Sequence, residues 1–324
     1  MSSSAPTPGA ISSAAPLGGR DLRAIAHRRT RPGEALAKGL LLACASVSVV
    51  TTIGIVLSLL RPAVQFFSKV SLWDYLTGTD WSPLFQPAGY GVRPLLIGSL
   101  VITFIALIVA VPLGLGAAIF LSEYAGDRSR RFLKPLLELL AGIPTVVYGF
   151  FALTFVTPSV LQKFWFWGRE PDIYNALAAG LVMGVMILPT VASLAEDAMG
   201  AVPQALRSGS LALGANRFQT TVKVVLPAAL SGLVAAFVLA VSRAVGETMI
   251  VTIAAGGQPN LTLDARQGMQ TMTSFIASAG MGDLPQGSNE YRTIFAVGIT
   301  LFVITLALNV GSAKLVRRFR EVYE

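Results

Sequence analysis

A chain of 324 residues that is 53% hydrophobic, only 13% charged and has a mean hydropathy of +0.66 lacks the polar side chains to clothe a soluble globule. Such a surface belongs in lipid, where only helices or closed barrels satisfy the backbone, and the long unbroken apolar runs here suit helices rather than alternating barrel strands. The single cysteine, Cys44, excludes an intrachain disulfide framework, and the net charge of +8 suggests nucleic acid only until its distribution is followed.

Residues 1–36 start rich in Ser, Ala, Pro and Gly and then turn basic (Arg20, Arg23, Arg28, Arg29, Arg31). This composition cannot bury a core, so a disordered tail is expected. The only histidine, His27, lies in it, as does a twin arginine, Arg28-Arg29, without an export context. The apolar run that follows is too long for a cleaved signal. Cys44 ends Leu41-Leu42-Ala43-Cys44, a loose echo of a lipoprotein cleavage site, but reads as a small buried apolar residue.

Six spans are expected near 38–60, 95–121, 136–157, 175–195, 224–255 and 294–313. Pro112, Pro144 and Pro189 fall inside them as kinks. Gly180 and Gly184 form a small-xxx-small pair that suits close helix packing. Residues 37–94 then comprise the first span and a long connection with room for a surface helix, and 95–324 the core. Phe66, Phe67, Trp73 and Tyr75 in that connection are expected to anchor in the membrane interface, or else to dock a partner.

Lys and Arg set the orientation. One face carries the N-terminal basic residues and Lys38, then Arg128, Arg130, Arg131 and Lys134, then Arg207, Arg217 and Lys223, then Lys314, Arg317, Arg318 and Arg320. The other carries Arg61, Lys69, Arg93, Lys163, Arg169, Arg266 and Arg292. The richer face is expected to be cytoplasmic, with both termini on it, and the excess positive charge is then a matter of topology and anionic lipid. Trp73, Trp81, Trp165 and Trp167 all fall in connections of the poorer face, as an interfacial belt would. Glu138, Glu196 and Asp197 read as ordinary charges at span ends.

The connection between spans four and five has internal grammar. Pro203 suits a first helical turn, Gly214 the left-handed residue that ends a helix, and Asn216 the N-cap of the next. A short helix from about 203 to 213 is expected, then a tight turn and a helix entering the fifth span through Leu226-Pro227. With Leu206, Leu211 and Leu213 available, it suits either a groove on a soluble partner or the lipid headgroups.

Arg243 and Glu247 stand four apart within an apolar run, so a shared helix face is expected. Charges at such depth are costly and mark pathways. The guanidinium fork suits the oxygens of phosphate, and a carboxylate accepts from the P–O–H that phosphate retains near neutral pH and sulfate lacks. The competing account is mutual neutralisation within helix packing. Ser242 and Thr248 flank the pair as candidate hydroxyls, and Thr145 and Tyr148 beside Pro144 are weaker lining candidates.

The stretch Gly214, Val224, Leu226-Pro227 resembles the loop of importer permeases of the ATP-binding-cassette class, written Glu-Ala-Ala, three residues, Gly, nine residues, an aliphatic, any residue, Leu-Pro. Ser208-Gly209-Ser210 departs from it where Glu-Ala-Ala would stand. Leu137–Gly149, Ser242–Gly256, Gln270–Phe275 and Phe295–Gly298 resemble the PstC family of phosphate permease subunits more than the sister PstA family. The resemblance implies a type I, MetI-like fold with both termini inside, in a bacterial inner membrane. It implies that Leu206, Ser208, Leu211, Ala212, Gly214, Leu226 and Pro227 couple to an ATPase, while Ser242, Arg243, Glu247 and Thr248 line the path. Its partners would be a PstA-like second permease subunit, two PstB-like ATPase subunits holding ATP and Mg, and an extracytoplasmic PstS-like phosphate-binding protein. No phosphate loop, metal-spaced cluster or nucleophile–base set is present in the sequence, so neither ATP hydrolysis nor a cofactor is expected on this chain. A permease for sulfate or molybdate, or a stand-alone secondary transporter or channel, are the alternatives.

Overall fold

The computed structural model describes residues 32–166, 168–282 and 284–318. The basic residues before Pro32, His27, Trp167 and Arg320 lie outside that set. Among the described residues five helices are long and apolar enough to cross a bilayer: Leu36–Phe67, Arg93–Tyr124, Thr145–Gln162, Ala176–Gly200 and Asn289–Lys314. A sixth crossing is made if the pair Arg217–Ala228 and Leu230–Val245, bent by 72°, counts as one.

The first helix, Pro32–Phe67, starts before the expected span and takes in the end of the anticipated tail. The chain divides into two compact units between Ile55 and Val56, inside this helix. Every described side chain up to Ile55 is exposed, Cys44 included, so the expected burial of that cysteine is not met.

In the unit from Val56 onward, the fourth span is the most enclosed and the second packs along it. Their contact explains Gly180 and Gly184. A β-carbon on Gly180 would lie 2.7 Å from the Ile105 side chain, and one on Gly184 2.8 Å from the Ala106 carbonyl. The small-xxx-small pair is thus the groove into which the second span fits. Pro112 and Pro189 lie within helices as expected.

The third span differs from expectation. Residues 127–142 form their own helix with no buried residue. Its face carries Arg128, Arg131 and Lys134, and these charges keep it from continuing an apolar crossing. Pro144, expected as a mid-span kink, is the N-cap of the next helix, where its missing N–H costs nothing. Tyr148 is buried, and its hydroxyl donates to the Leu140 carbonyl at 2.7 Å across the break. Tyr148 is therefore a strut rather than a lining residue, while Thr145 is half-buried in the first turn.

The long connection after the first helix holds the short helix Leu72–Thr77 and a two-stranded antiparallel ribbon, Trp81–Ser82 with Gly89–Tyr90. Phe66, Tyr75 and Trp81 are buried there against Leu95, Met272 and Phe275. Their rings meet edge to face, as their quadrupoles prefer. The interfacial expectation fails for Phe66, Tyr75 and Trp81 because packing against the bundle removes more apolar surface than an interface does. Trp73 stays outside that cluster at 73% exposure.

Between the fifth and sixth spans the backbone from Gly256 to Thr271 is irregular, yet its polar groups are held. Met269 N–H donates to the Ala255 carbonyl at 2.9 Å, Ala176 N–H to Gln267 at 3.1 Å and Leu177 N–H to Ala265 at 2.8 Å. A side chain at Gly98 would collide with the Gln270 carbonyl, so the second span lies directly against this segment. Non-helical backbone survives among spans only when protein supplies its partners in this way.

Candidate functional site

Two regions carry the chemistry expected from the sequence. The first is the fifth span. Its helix stops at Val245, and Gly246 closes it by donating to Ser242 at 3.3 Å. Helical bonding resumes when Thr252 N–H reaches the Thr248 carbonyl at 3.0 Å, and the turn Val251–Ala255 ends on Gly256 at φ +82°. Arg243 therefore sits in the last turn before a break and Glu247 inside it. The shared helix face expected for them is not formed.

Glu247 caps the resumed helix. Its Oε1 accepts from the backbone N–H groups of Thr248 at 3.1 Å, Met249 at 3.0 Å and Ile250 at 3.4 Å. Its carbonyl accepts from Thr273 Oγ1, at 2.6 Å. A carboxylate at a helix N-terminus satisfies orphan donors and the dipole together. Among the described residues no hydrogen bond reaches Oε2.

Arg243 turns instead to the fourth span. One Nη donates to Thr190 Oγ1 at 2.9 Å, the other to the Met186 sulfur at 3.4 Å. Among the described residues no ion pair joins Arg243 to Glu247 or to any other carboxylate. The guanidinium is exposed, with two weak acceptors behind it. Mutual neutralisation, the packing alternative for this pair, thus has no contact to support it. Ser242 donates to Asn309 Oδ1 at 2.9 Å and so binds the fifth span to the sixth. The Thr248 hydroxyl donates to the Gly246 carbonyl at 3.3 Å, within its own break. Thr190, Met186, Asn309 and Thr273 were not anticipated. Thr190 after Pro189 and Asn309 in an apolar helix are the sequence signals that point to them.

The second region follows the fourth span. The expected helix forms as Gln204–Ala212, with Pro203 as its N-cap rather than its first turn. Gly214 takes φ +88°, the left-handed value that suits glycine. Asn216 makes a capping box: its Oδ1 accepts from Gln219 N–H at 2.8 Å, and Gln219 Oε1 accepts from Asn216 N–H at 3.0 Å. The chain then runs through Arg217–Thr220 and a wider turn into Leu226–Ala228, and bends at Ala229.

Leu206 and Leu226 are half-buried, and Ser208, Leu211, Ala212, Gly214 and Pro227 are exposed. An open cleft of about 610 Å³ lies between this helix and the next, lined by Leu206, Leu213, Gly214 and Val224 among others. Ser208, where the loop pattern has Glu, turns its hydroxyl onto the Gln204 carbonyl of its own helix at 3.1 Å. Glu196 pairs with Lys134 at 3.4 Å, while Glu138 and Asp197 are exposed. Among the described residues no group of three or more His, Cys, Asp or Glu side chains is placed to hold a metal.

A helical membrane chain with a broken, arginine-bearing span and a short capped helix between its fourth and fifth crossings has the architecture of an importer permease. The chain belongs to the family of binding-protein-dependent transport system inner membrane components, whose pattern matches residues 110–321. It is 36% identical over 286 residues to the probable ABC transporter permease protein YqgH of Bacillus subtilis, covering 87% of this chain and 91% of that one. It is 34% identical to the phosphate transport system permease protein PstC 1 of Mycobacterium tuberculosis, covering 75% and 81%. Among solved structures, a permease chain of a bacterial alginate ABC transporter superposes with a TM-score of 0.62 at 16% identity, covering 90% and 99%. One of the MetNI methionine transporter, inward-facing, does so at 0.52 and 20%, covering 71% and 95%. These last two establish the fold, which is MetI-like.

Proposed function

We propose that this chain forms half of the translocation pathway of an ATP-driven importer of inorganic phosphate. The observation that carries the reading is the guanidinium of Arg243, held against Thr190 and Met186 with no carboxylate of the described residues on it. A cation placed among spans without a counter-ion is expensive, and an anion passing it would supply the missing charge. Its fork suits a tetrahedral oxyanion. Glu247 Oε2 then accepts from the protonated oxygen of phosphate, while Oε1 stays on the helix end. Relatives named as phosphate permeases support the substrate class.

The end of the bundle bearing Arg130, Lys134, Arg207 and Arg217 is the cytoplasmic one in this reading. There the helix Gln204–Ala212 inserts into an ATPase subunit through Leu206, Leu211 and the neighbourhood of Gly214. ATP is hydrolysed on two such subunits, a second permease subunit completes the pathway, and an extracytoplasmic phosphate-binding protein delivers the anion.

The test is purification from the native membrane, identification of the chains that accompany it, and reconstitution of the complex in liposomes. ATP-dependent uptake of phosphate, unaffected by excess sulfate or molybdate, is the expected result. Sulfate or molybdate uptake in its place, or phosphate flux through this chain alone without ATP, would refute it.

A further inference from the structure

At the basic end of the bundle Arg207 makes more bonds than any docking role requires. It projects from the helix Gln204–Ala212 but none of its bonds is to that helix. One Nη donates to the Val202 carbonyl at 2.6 Å. The other donates to the Met199 carbonyl at 2.7 Å and to Glu123 Oε1 at 3.0 Å. Met199 and Val202 belong to the end of the fourth span and the link beyond it, and the Met199 carbonyl also accepts from the Val202 N–H at 3.1 Å. Glu123 belongs to the widened last turn of the second span, Phe120–Tyr124. Both charged side chains are well covered, at 14% and 11% exposure.

We propose that Arg207 is the positioning residue that fastens this helix to the ends of the second and fourth spans, so that all three move as one body. The inference rests on the reading that the helix receives force from an ATPase subunit. A planar fork holds two carbonyls at the end of one span and a carboxylate of another in a preset geometry, whereas lysine, a point charge with rotatable donors on a flexible stem, is not preorganised for all three. A cation on the C-terminal carbonyls also complements the helix dipole. The departure from the family loop fits this division of labour. Ser208 keeps its hydroxyl on its own helix, whereas Ser210 exchanges a hydrogen bond with Thr220 at 3.0 Å and braces the helix to the start of the fifth span. The helix is thus tied to three spans by side chains that do not face outward to a partner.

The experiment uses the whole reconstituted complex and reads ATP hydrolysed per phosphate taken up. Arg207→Gln is expected to raise that ratio about fivefold to tenfold with the ATPase subunits still bound, in the range that residues along a coupling route change it. Arg207→Lys and Glu123→Gln are expected to raise it less, and the double variant Arg207→Gln/Glu123→Gln no more than Arg207→Gln alone. An unchanged ratio in Arg207→Gln overturns the proposal, as does a proportional fall of uptake and hydrolysis with loss of the ATPase subunits. If the Arg207→Gln chain itself does not fold or insert, Glu123→Gln, which leaves both carbonyl bonds, is read by the same criteria. The underlying reading is checked separately by Leu211→Asp. If that variant retains its ATPase subunits, the docking surface is misplaced, and Arg207 loses its transmission role with it.

Discussion

Arg207 and Arg243 are the same residue leaning on the same helix, and their surroundings are opposite. Arg207 has a carboxylate and two carbonyls of the fourth span and its end within 3.0 Å. Among the described residues Arg243 has a hydroxyl and a thioether of that span. An arginine given a full complement of acceptors is held in place. One given too few, among apolar helices, retains donors for something that is not part of the chain. In the proposed function the contrast separates fastening from transport more clearly than depth in the membrane does, with the fourth span as the platform for both.

The largest expected effect tests the transport half of that contrast. Arg243→Gln should lower phosphate uptake about 10- to 100-fold, matching ~1.5–3 kcal/mol for hydrogen bonds to a charged group. The complex should assemble normally, because no carboxylate loses its partner. Arg243→Lys should keep part of the uptake. Wild-type uptake in both, measured with radiolabelled phosphate, would reduce Arg243 to a packing residue.

Glu247 sharpens the same comparison by combining a cap with a free oxygen. Glu247→Gln retains Oε1 for the three amides and loses the charge. Glu247→Ala loses the cap as well, at a cost of ~0.5–2 kcal/mol. Thermal stability of the purified complex should therefore fall for Ala and stay near wild type for Gln. Uptake should fall for both, by about tenfold in Gln, the equivalent of ~1.4 kcal/mol on the free-energy scale. Gln with normal uptake would leave only the cap.

Because both arginines depend on the fourth span, its seating matters to each. Gly184→Val places a branched side chain where even a β-carbon lies 2.7 Å from Val109. Overpacking of this kind costs ~1–3 kcal/mol. Reduced yield of folded complex by size-exclusion chromatography is the check, and an unaffected yield would show that the two spans separate in the assembly. Asn216→Ala, at the other region, should cost ~1 kcal/mol for the lost cap, visible as faster hydrogen exchange over residues 217–220 with little change in uptake.

What the sequence revealed follows from which forces leave a mark in residue type. Hydropathy located the spans, and turn chemistry located Gly214 and Asn216, because φ and capping depend on a single residue each. The glycine pair 180 and 184 was legible for the same reason. Hydropathy is blind to backbone bonding, so an apolar run through 224–255 concealed the bend at Ala229 and the break at 246–248. It also joined 136–157 into one span, although Pro144 starts a new helix. Arg207 was counted for topology alone, since its partners lie far off in sequence at Glu123 and close by on carbonyls that no residue type announces.

A third arginine supplies the last test and the smallest effect. Arg266 lies in the irregular segment, where Asp264 accepts from its Nε at 2.7 Å and its Nη donates to the Arg169 carbonyl at 3.2 Å. Hydrogen bonds from Arg266 hold the Asp264 carboxyl down at about 2, below the ~3.9 of a free aspartate. The folded value is depressed, so the stabilisation is present above the unfolded value and is lost as pH falls from about 4 through about 2. Hydrogen exchange of the segment 257–268 should thus be no more sensitive to pH between 7 and 5 than its intrinsic chemistry, and its protection relative to the intrinsic rate should fall below about pH 4. Asp264→Asn should remove the acid step and change uptake at neutral pH little, because a half-buried pair at the protein edge is still partly screened by solvent. A large loss of uptake in that variant would move Arg266 out of the class of Arg207, fastened by its partners, and into that proposed for Arg243, with donors left for the anion.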